Sequence, residues 1–141
     1  MRVAWFALAA VLLCAWLATP SFGCTTDGSP AGVVRAYAAA LDHQDGDRAA
    51  TYLAADFPTD GRDYLPVYAR VIEKYGVDVL EEKIDPTNTQ ATVRARERAD
   101  LVVGGEDFAE LIFTLRWAEG RWHIAGIADV GPAPAAAAAP H

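Results

Sequence analysis

Cysteine is nearly absent from this chain, which holds only Cys14 and Cys24. Cys14 lies in an apolar leader that export would remove, so the remainder would keep one thiol with no partner, and a disulfide scaffold is excluded. Long apolar runs are scarce as well. The charge-free stretch from Val3 to Leu17 falls short of the roughly 20 residues that a membrane-spanning helix needs. Positive charge is in deficit. Arg2, one of 12 basic residues, precedes that stretch and all 19 acidic residues follow it, so the remainder carries 11 − 19 = −8. Such a surface repels nucleic acid and anionic lipid, and neither is expected to bind through general electrostatics.

Motifs that bind metals or nucleotides are missing. His43 and His123 are far apart and show no H-E-x-x-H spacing, and there is neither a Gly-rich phosphate loop nor a nucleophile elbow. No metal and no cofactor is expected. The acidic group Asp42, Asp45 and Asp47 fails as a calcium loop. A loop starting at Asp42 needs a carboxylate at its twelfth position, which is Leu53, and Gly46 falls one residue early. These residues read instead as a helix stop at Gly46 and a helix cap at Asp47.

The beginning of the chain addresses a compartment. Met1-Arg2, the apolar run, Pro20 and the small residues Ser21 and Gly23 form the layout of a secretory signal over residues 1–23. Gly23-Cys24 also resembles the lipobox of bacterial lipoproteins, although Ser21 stands where that group usually has Leu. The resemblance implies lipid on Cys24 and an envelope protein whose partner is the membrane. The alternative is a secreted or periplasmic protein with a free Cys24. Residues 24–28 are small and polar, as in a tether. Residues 131–141, rich in Ala and Pro, read as a disordered tail. One folded domain is left, over residues 29–130.

Within it, Ser29-Pro30 opens a helix carrying Val34, Tyr37, Ala38 and Leu41 at helical spacing. A short second helix follows, with Ala50, Tyr52 and Leu53. A third starts at Asp63, carries Leu65, Tyr68, Val71, Ile72 and Tyr75, and stops at Gly76. From there the period changes to two. Residues 77–84, 90–103, 106–117 and 121–130 read as four strands with short links, hence antiparallel. The expected fold class is α+β, with N-terminal helices packed on a curved four-stranded antiparallel sheet.

The helix opening at 29 to 53 and the ending Glu119-Gly120-Arg121-Trp122-His123-Ile124-Ala125 resemble the nuclear transport factor 2-like (NTF2-like) cone superfamily. The nearest varieties are small bacterial envelope lipoproteins of the DUF4878 or SnoaL-like type. The resemblance implies the fold, and it leaves two classes of function open. One is a non-catalytic envelope module that binds an envelope protein or a small apolar molecule in the cone. The other is an isomerase or lyase similar to ketosteroid isomerase or SnoaL, acting on a small apolar substrate. That chemistry needs a carboxylate in an apolar pocket and a Tyr to hold an enolate oxygen. Glu97 is the candidate base, because it stands in phase with Val93, Ala95, Ala99 and Leu101, with Arg94, Arg96 and Arg98 on the opposite face. Tyr52, Tyr68 and Tyr75 complete the candidate pocket. The arginine strip reads as a solvated face with acidic neighbours such as Glu110. Phe108 and Ile112 share a face that, if outward, suits homodimerisation, a common arrangement in the resembled superfamily. Trp122 and Ile124 are expected to face the helices.

If Cys24 bears lipid, Cys24→Ala moves the protein from the membrane to the soluble fraction, because the anchoring chains are lost. Fractionation and intact mass of the membrane-extracted protein check this outcome.

Overall fold

The computed structural model describes residues 28–132. The readings of residues 1–23 as a signal, of Cys24 as a lipid site and of most of the tail lie outside the described residues. Three helices, α1 (Pro30–Asp42), α2 (Gly46–Ala50) and α3 (Thr59–Val71), precede four strands. These are β1 (Ile72–Ile84), β2 (Gln90–Leu101), β3 (Gly105–Ala118) and β4 (Arg121–Pro132), paired antiparallel in the order β1-β2-β3-β4. The expected three helices and four-stranded antiparallel sheet are all present.

The start of α1 ties helix to sheet. Ser29 Oγ accepts from the Gly32 amide at 3.0 Å, and the Glu82 carboxylate of β1 accepts from the Ala31 amide at 2.7 Å. A negative charge thus meets the positive end of the helix dipole. Val34, Tyr37, Ala38 and Leu41 are buried against the sheet. The helix ends where Gln44 takes a left-handed φ of 58°.

Contrary to the sequence reading, Gly46 is not the stop of the first helix and Asp47 is not the next cap: Gly46 opens α2, and Asp45 caps it, its Oδ1 accepting from the Arg48 amide at 2.9 Å. The glycine is required for closeness. A Cβ there would lie 2.6 Å from Leu65 O and from Pro66 Cα of α3.

The expected third helix, from Asp63 to Gly76, is also shifted: α3 begins at Thr59 and ends at Val71, with Ile72 already extended at φ −85° and ψ 125°. Tyr75 and Gly76 belong to β1. The cause is tertiary. Gln44 Nε2 donates to Ile72 O at 2.6 Å, and Asp42 Oδ1 accepts from the Tyr75 amide at 2.8 Å. Ile72 pairs with Leu101 and Lys74 with Asp100, which leaves Glu73 as the extra residue of a β-bulge. Ile72 and Tyr75 therefore both point inward and are buried. Their spacing of three, which imitates a helix, is a strand with one residue inserted.

The core lies between α1 and the concave face of the sheet, around Phe113, Leu115, Val93, Ile72, Leu41, Val34 and Ile124. Trp122 and Ile124 face the helices, as expected. His123, which alternates with them, is also buried, its Nε2 3.1 Å from Ala118 O. The edge of β4 is covered by the segment after α2, where the Ala54 amide donates to Ile124 O and the Ile124 amide to Tyr52 O, both at 2.8 Å. On the convex face Arg94 pairs with Glu110, and Arg98 pairs with Glu106 and lies over the Phe108 ring, whereas Arg96 keeps its Nε buried without a hydrogen-bond partner. Phe108 is exposed on that face and Ile112 half-buried.

Gly46→Ala is expected to destabilise the domain by about 1–3 kcal/mol, the usual cost of forcing extra volume into a packed contact. Denaturant unfolding at unchanged m-value checks it.

Candidate functional site

Strand alternation on β2 sets Glu97 between Ala95 and Ala99 on the concave side, opposite Val77 of β1 and Ala109 of β3. Pairing is regular across this stretch, so no bulge turns the side chain outward. Ala95, Ala99 and Ala109 are buried, and Glu97 itself is half-buried among them. Tyr75, delivered to the same face by the bulge at Glu73, sets its hydroxyl toward the Glu97 carboxylate, on which it acts as a donor. Tyr37 from α1 and Tyr68 from α3 lie close enough to feel the Glu97 charge.

Burial raises the Glu97 carboxyl above its ordinary value of 4.5. The hydrogen bond from Tyr75 opposes this, and the charges of Asp107 and Asp129 add to it. Asp107 shares the inward phase of β3 with Ala109 and Leu111, and Asp129 stands opposite Leu111. Both are exposed at the open side of the face. Burial, then the Glu97 charge, raises Tyr37 and Tyr75, and pushes Tyr68 up to about 12. All three phenols therefore stay protonated and act as donors. Tyr68 also stacks on the exposed Tyr64 at 5.8 Å.

Of the residues named from sequence, Glu97, Tyr68 and Tyr75 come together and Tyr52 does not. Tyr52 lines a separate hollow with Val33, Thr51, Trp117 and Trp122, because its backbone is bonded to the far half of β4. Sequence reading missed Tyr37, Asp107 and Asp129. Tyr37 sits three and four residues from Val34 and Leu41 and reads as plain core; its hydroxyl on an aliphatic stripe was the available sign. Among the described residues, no group of three or more His, Cys, Asp or Glu side chains is placed to hold a metal ion.

The arrangement joins one half-buried carboxyl and three phenol donors with aliphatic walls. A carboxyl that keeps its proton to a higher pH can donate to a ligand oxygen, and ionised it can accept from a ligand hydroxyl.

No protein-family model and no curated protein matches the sequence. Solved structures do match. An NTF-2 like protein of unknown function from Shewanella oneidensis is 12% identical, with a TM-score of 0.57 over 70% of this chain and 93% of that one. A SEC-C motif containing protein from Rhodopseudomonas palustris is 20% identical, with a TM-score of 0.61 over 74% and 80%. The fold is the NTF2-like cone. A protein assigned as a scytalone dehydratase, from Novosphingobium aromaticivorans, shares this NTF2-like architecture at 14% identity and a TM-score of 0.55, over 70% and 80%. At such identities the likeness is one of fold, which by itself assigns no activity.

The raised Glu97 carboxyl has a definite pH signature. The folded state binds its proton more tightly than the unfolded state, so the associated stability is complete below about 4.5 and is lost as pH rises through the folded value. Glu97→Gln, which keeps an oxygen to accept from Tyr75, is expected to be more stable than the parent at neutral pH. That advantage should vanish as pH falls toward 4.5; chemical unfolding across the range measures it.

Proposed function

We propose that the domain is a non-catalytic binding module of the bacterial cell envelope, carried there by lipid on Cys24, that holds a small and largely apolar molecule by one polar group at Glu97. The observation that carries this reading is the mutual engagement of Glu97 and Tyr75 on an apolar concave face. An isomerase needs its carboxylate free to take a proton and its phenol free to hold the developing enolate. Here the Tyr75 hydroxyl already faces the Glu97 carboxylate. A ligand oxygen can insert between them or accept from Tyr68, and neither event demands turnover. The leader, Gly23-Cys24 and the lone thiol support placement in the envelope.

The second reading is a ketosteroid-isomerase-like or SnoaL-like isomerase or lyase. It is favoured by Tyr68, a further protonated phenol beside Glu97, and by the likeness to the protein assigned as a scytalone dehydratase.

Titrating the purified protein with a neutral cyclic enone, followed by NMR, separates the two. Binding should saturate with shifts at Tyr75, Glu97 and Ala99, and the enone signals should stay unchanged. Tyr75→Phe should weaken binding by about fivefold, the equivalent of one lost hydrogen bond of about 1 kcal/mol. Isomerisation of the enone that disappears in Glu97→Gln would instead establish the enzyme, and no saturable shift at all would dismiss both.

A further inference from the structure

The cone has a second distinctive end. The β1–β2 turn, the β3–β4 turn and the first turn of α1 all meet there, as the hydrogen bond from the Trp117 amide to Thr89 O and that from Ala31 to Glu82 require. Two adjoining hollows share Gly28, Trp117 and Trp122 as lining, one extended by Val33 and Tyr52 and the other by Pro30 and Ile84. The tryptophan rings meet edge to face at 5.4 Å. Trp122 is buried, whereas Trp117 is 44% exposed and Ile84 43%. We infer that this tryptophan end of the cone rests on the lipid surface that anchors Cys24, with Trp117 and Ile84 seated among the headgroups.

The inference rests on the anchoring reading above and extends it to an orientation. Gly28 lines both hollows and stands four positions after Cys24. A fully extended chain spans at most ~3.6 Å per residue, so lipid on Cys24 keeps this end within about 14 Å of the membrane surface. An exposed Trp beside a half-buried Tyr is the chemistry of a membrane–water interface, where an apolar ring and a polar N–H or O–H are both satisfied.

Charge agrees with this placement. Excess negative charge opposes contact with a bilayer, yet apart from the exposed Glu119 of the β3–β4 turn the acids near the tryptophan end are matched locally. Glu81 pairs with Lys83 at 3.1 Å, Glu82 caps α1, and Asp85 accepts from the amides of Thr89 and Gln90 in its own turn. Arg121 lines the Trp hollow itself. Glu73, Asp100, Glu106 and Asp107 stand at the opposite ends of their strands. With the tryptophan end down, those acids and the open side of the Glu97 face point away from lipid.

Brominated lipid tests this on the full chain, purified from membranes after its intact mass is read and reconstituted into phosphatidylcholine vesicles brominated near the headgroup. Once residues 1–23 are removed, Trp117 and Trp122 are the remaining tryptophans. Fluorescence should then fall by roughly half relative to plain vesicles, since Trp117 reaches the quencher and the buried Trp122 does not. Trp117→Phe, which keeps an aromatic ring, should abolish the quenching. Protein that floats with the vesicles but is unquenched overturns the orientation and leaves the anchor standing. Protein that carries no lipid and does not float overturns the anchor and the orientation with it.

Discussion

Two hydrogen bonds at the end of the first helix govern the geometry of this domain. Asp42 and Gln44 hold the backbone of Tyr75 and Ile72, and so decide where helical chain gives way to sheet. An amide and a carbonyl at such a junction must find partners, or their desolvation would cost about as much as a lost hydrogen bond. Supplied from α1, those partners stop α3 at Val71, force Glu73 out as a bulge and turn Tyr75 onto the concave face. The candidate site exists because Tyr75 arrives there.

Around that site the packing is set by small residues. Ala95, Ala99 and Ala109 line the sheet beside Glu97, so its neighbours along β2 and across on β3 are small. Tyr37 closes the inner side through its edge-on contact with Phe113 at 6.2 Å. A half-buried carboxyl is an electrostatic cost to the fold, reduced by the Tyr75 hydroxyl and increased by Asp107 and Asp129. That two further acids are set toward it, rather than an arginine from the strip on the other face, keeps the group easily protonated instead of ion-paired.

The two ends of the cone divide the chemistry. One presents phenols, carboxylates and an open concave face; the other presents tryptophan and the residue that leads to Cys24. The meander produces this separation, because antiparallel strands joined by short turns place the residues next to β1–β2 and β3–β4 together at one end.

Much of this was legible in the linear chain. Ser29-Pro30, the period-two pattern after Val77 and the hairpin residues Glu119-Gly120 specify three helices and four antiparallel strands. Alternation along β2 placed Glu97 inward, since a strand has only two faces and Arg94, Arg96 and Arg98 occupy the other. The positions of Tyr52, Tyr75 and Gly46 were decided by tertiary structure alone. Tyr75 reads as helical because a bulge and a helix turn both bring residues three apart to one side, and only the bonds from Asp42 and Gln44 select between them. Tyr52 leaves the candidate site because its carbonyl is bound by β4, a pairing partner more than seventy positions away in sequence. Gly46 looks like a helix breaker, and its bare Cα is in fact what lets α3 approach, a contact that no local pattern encodes.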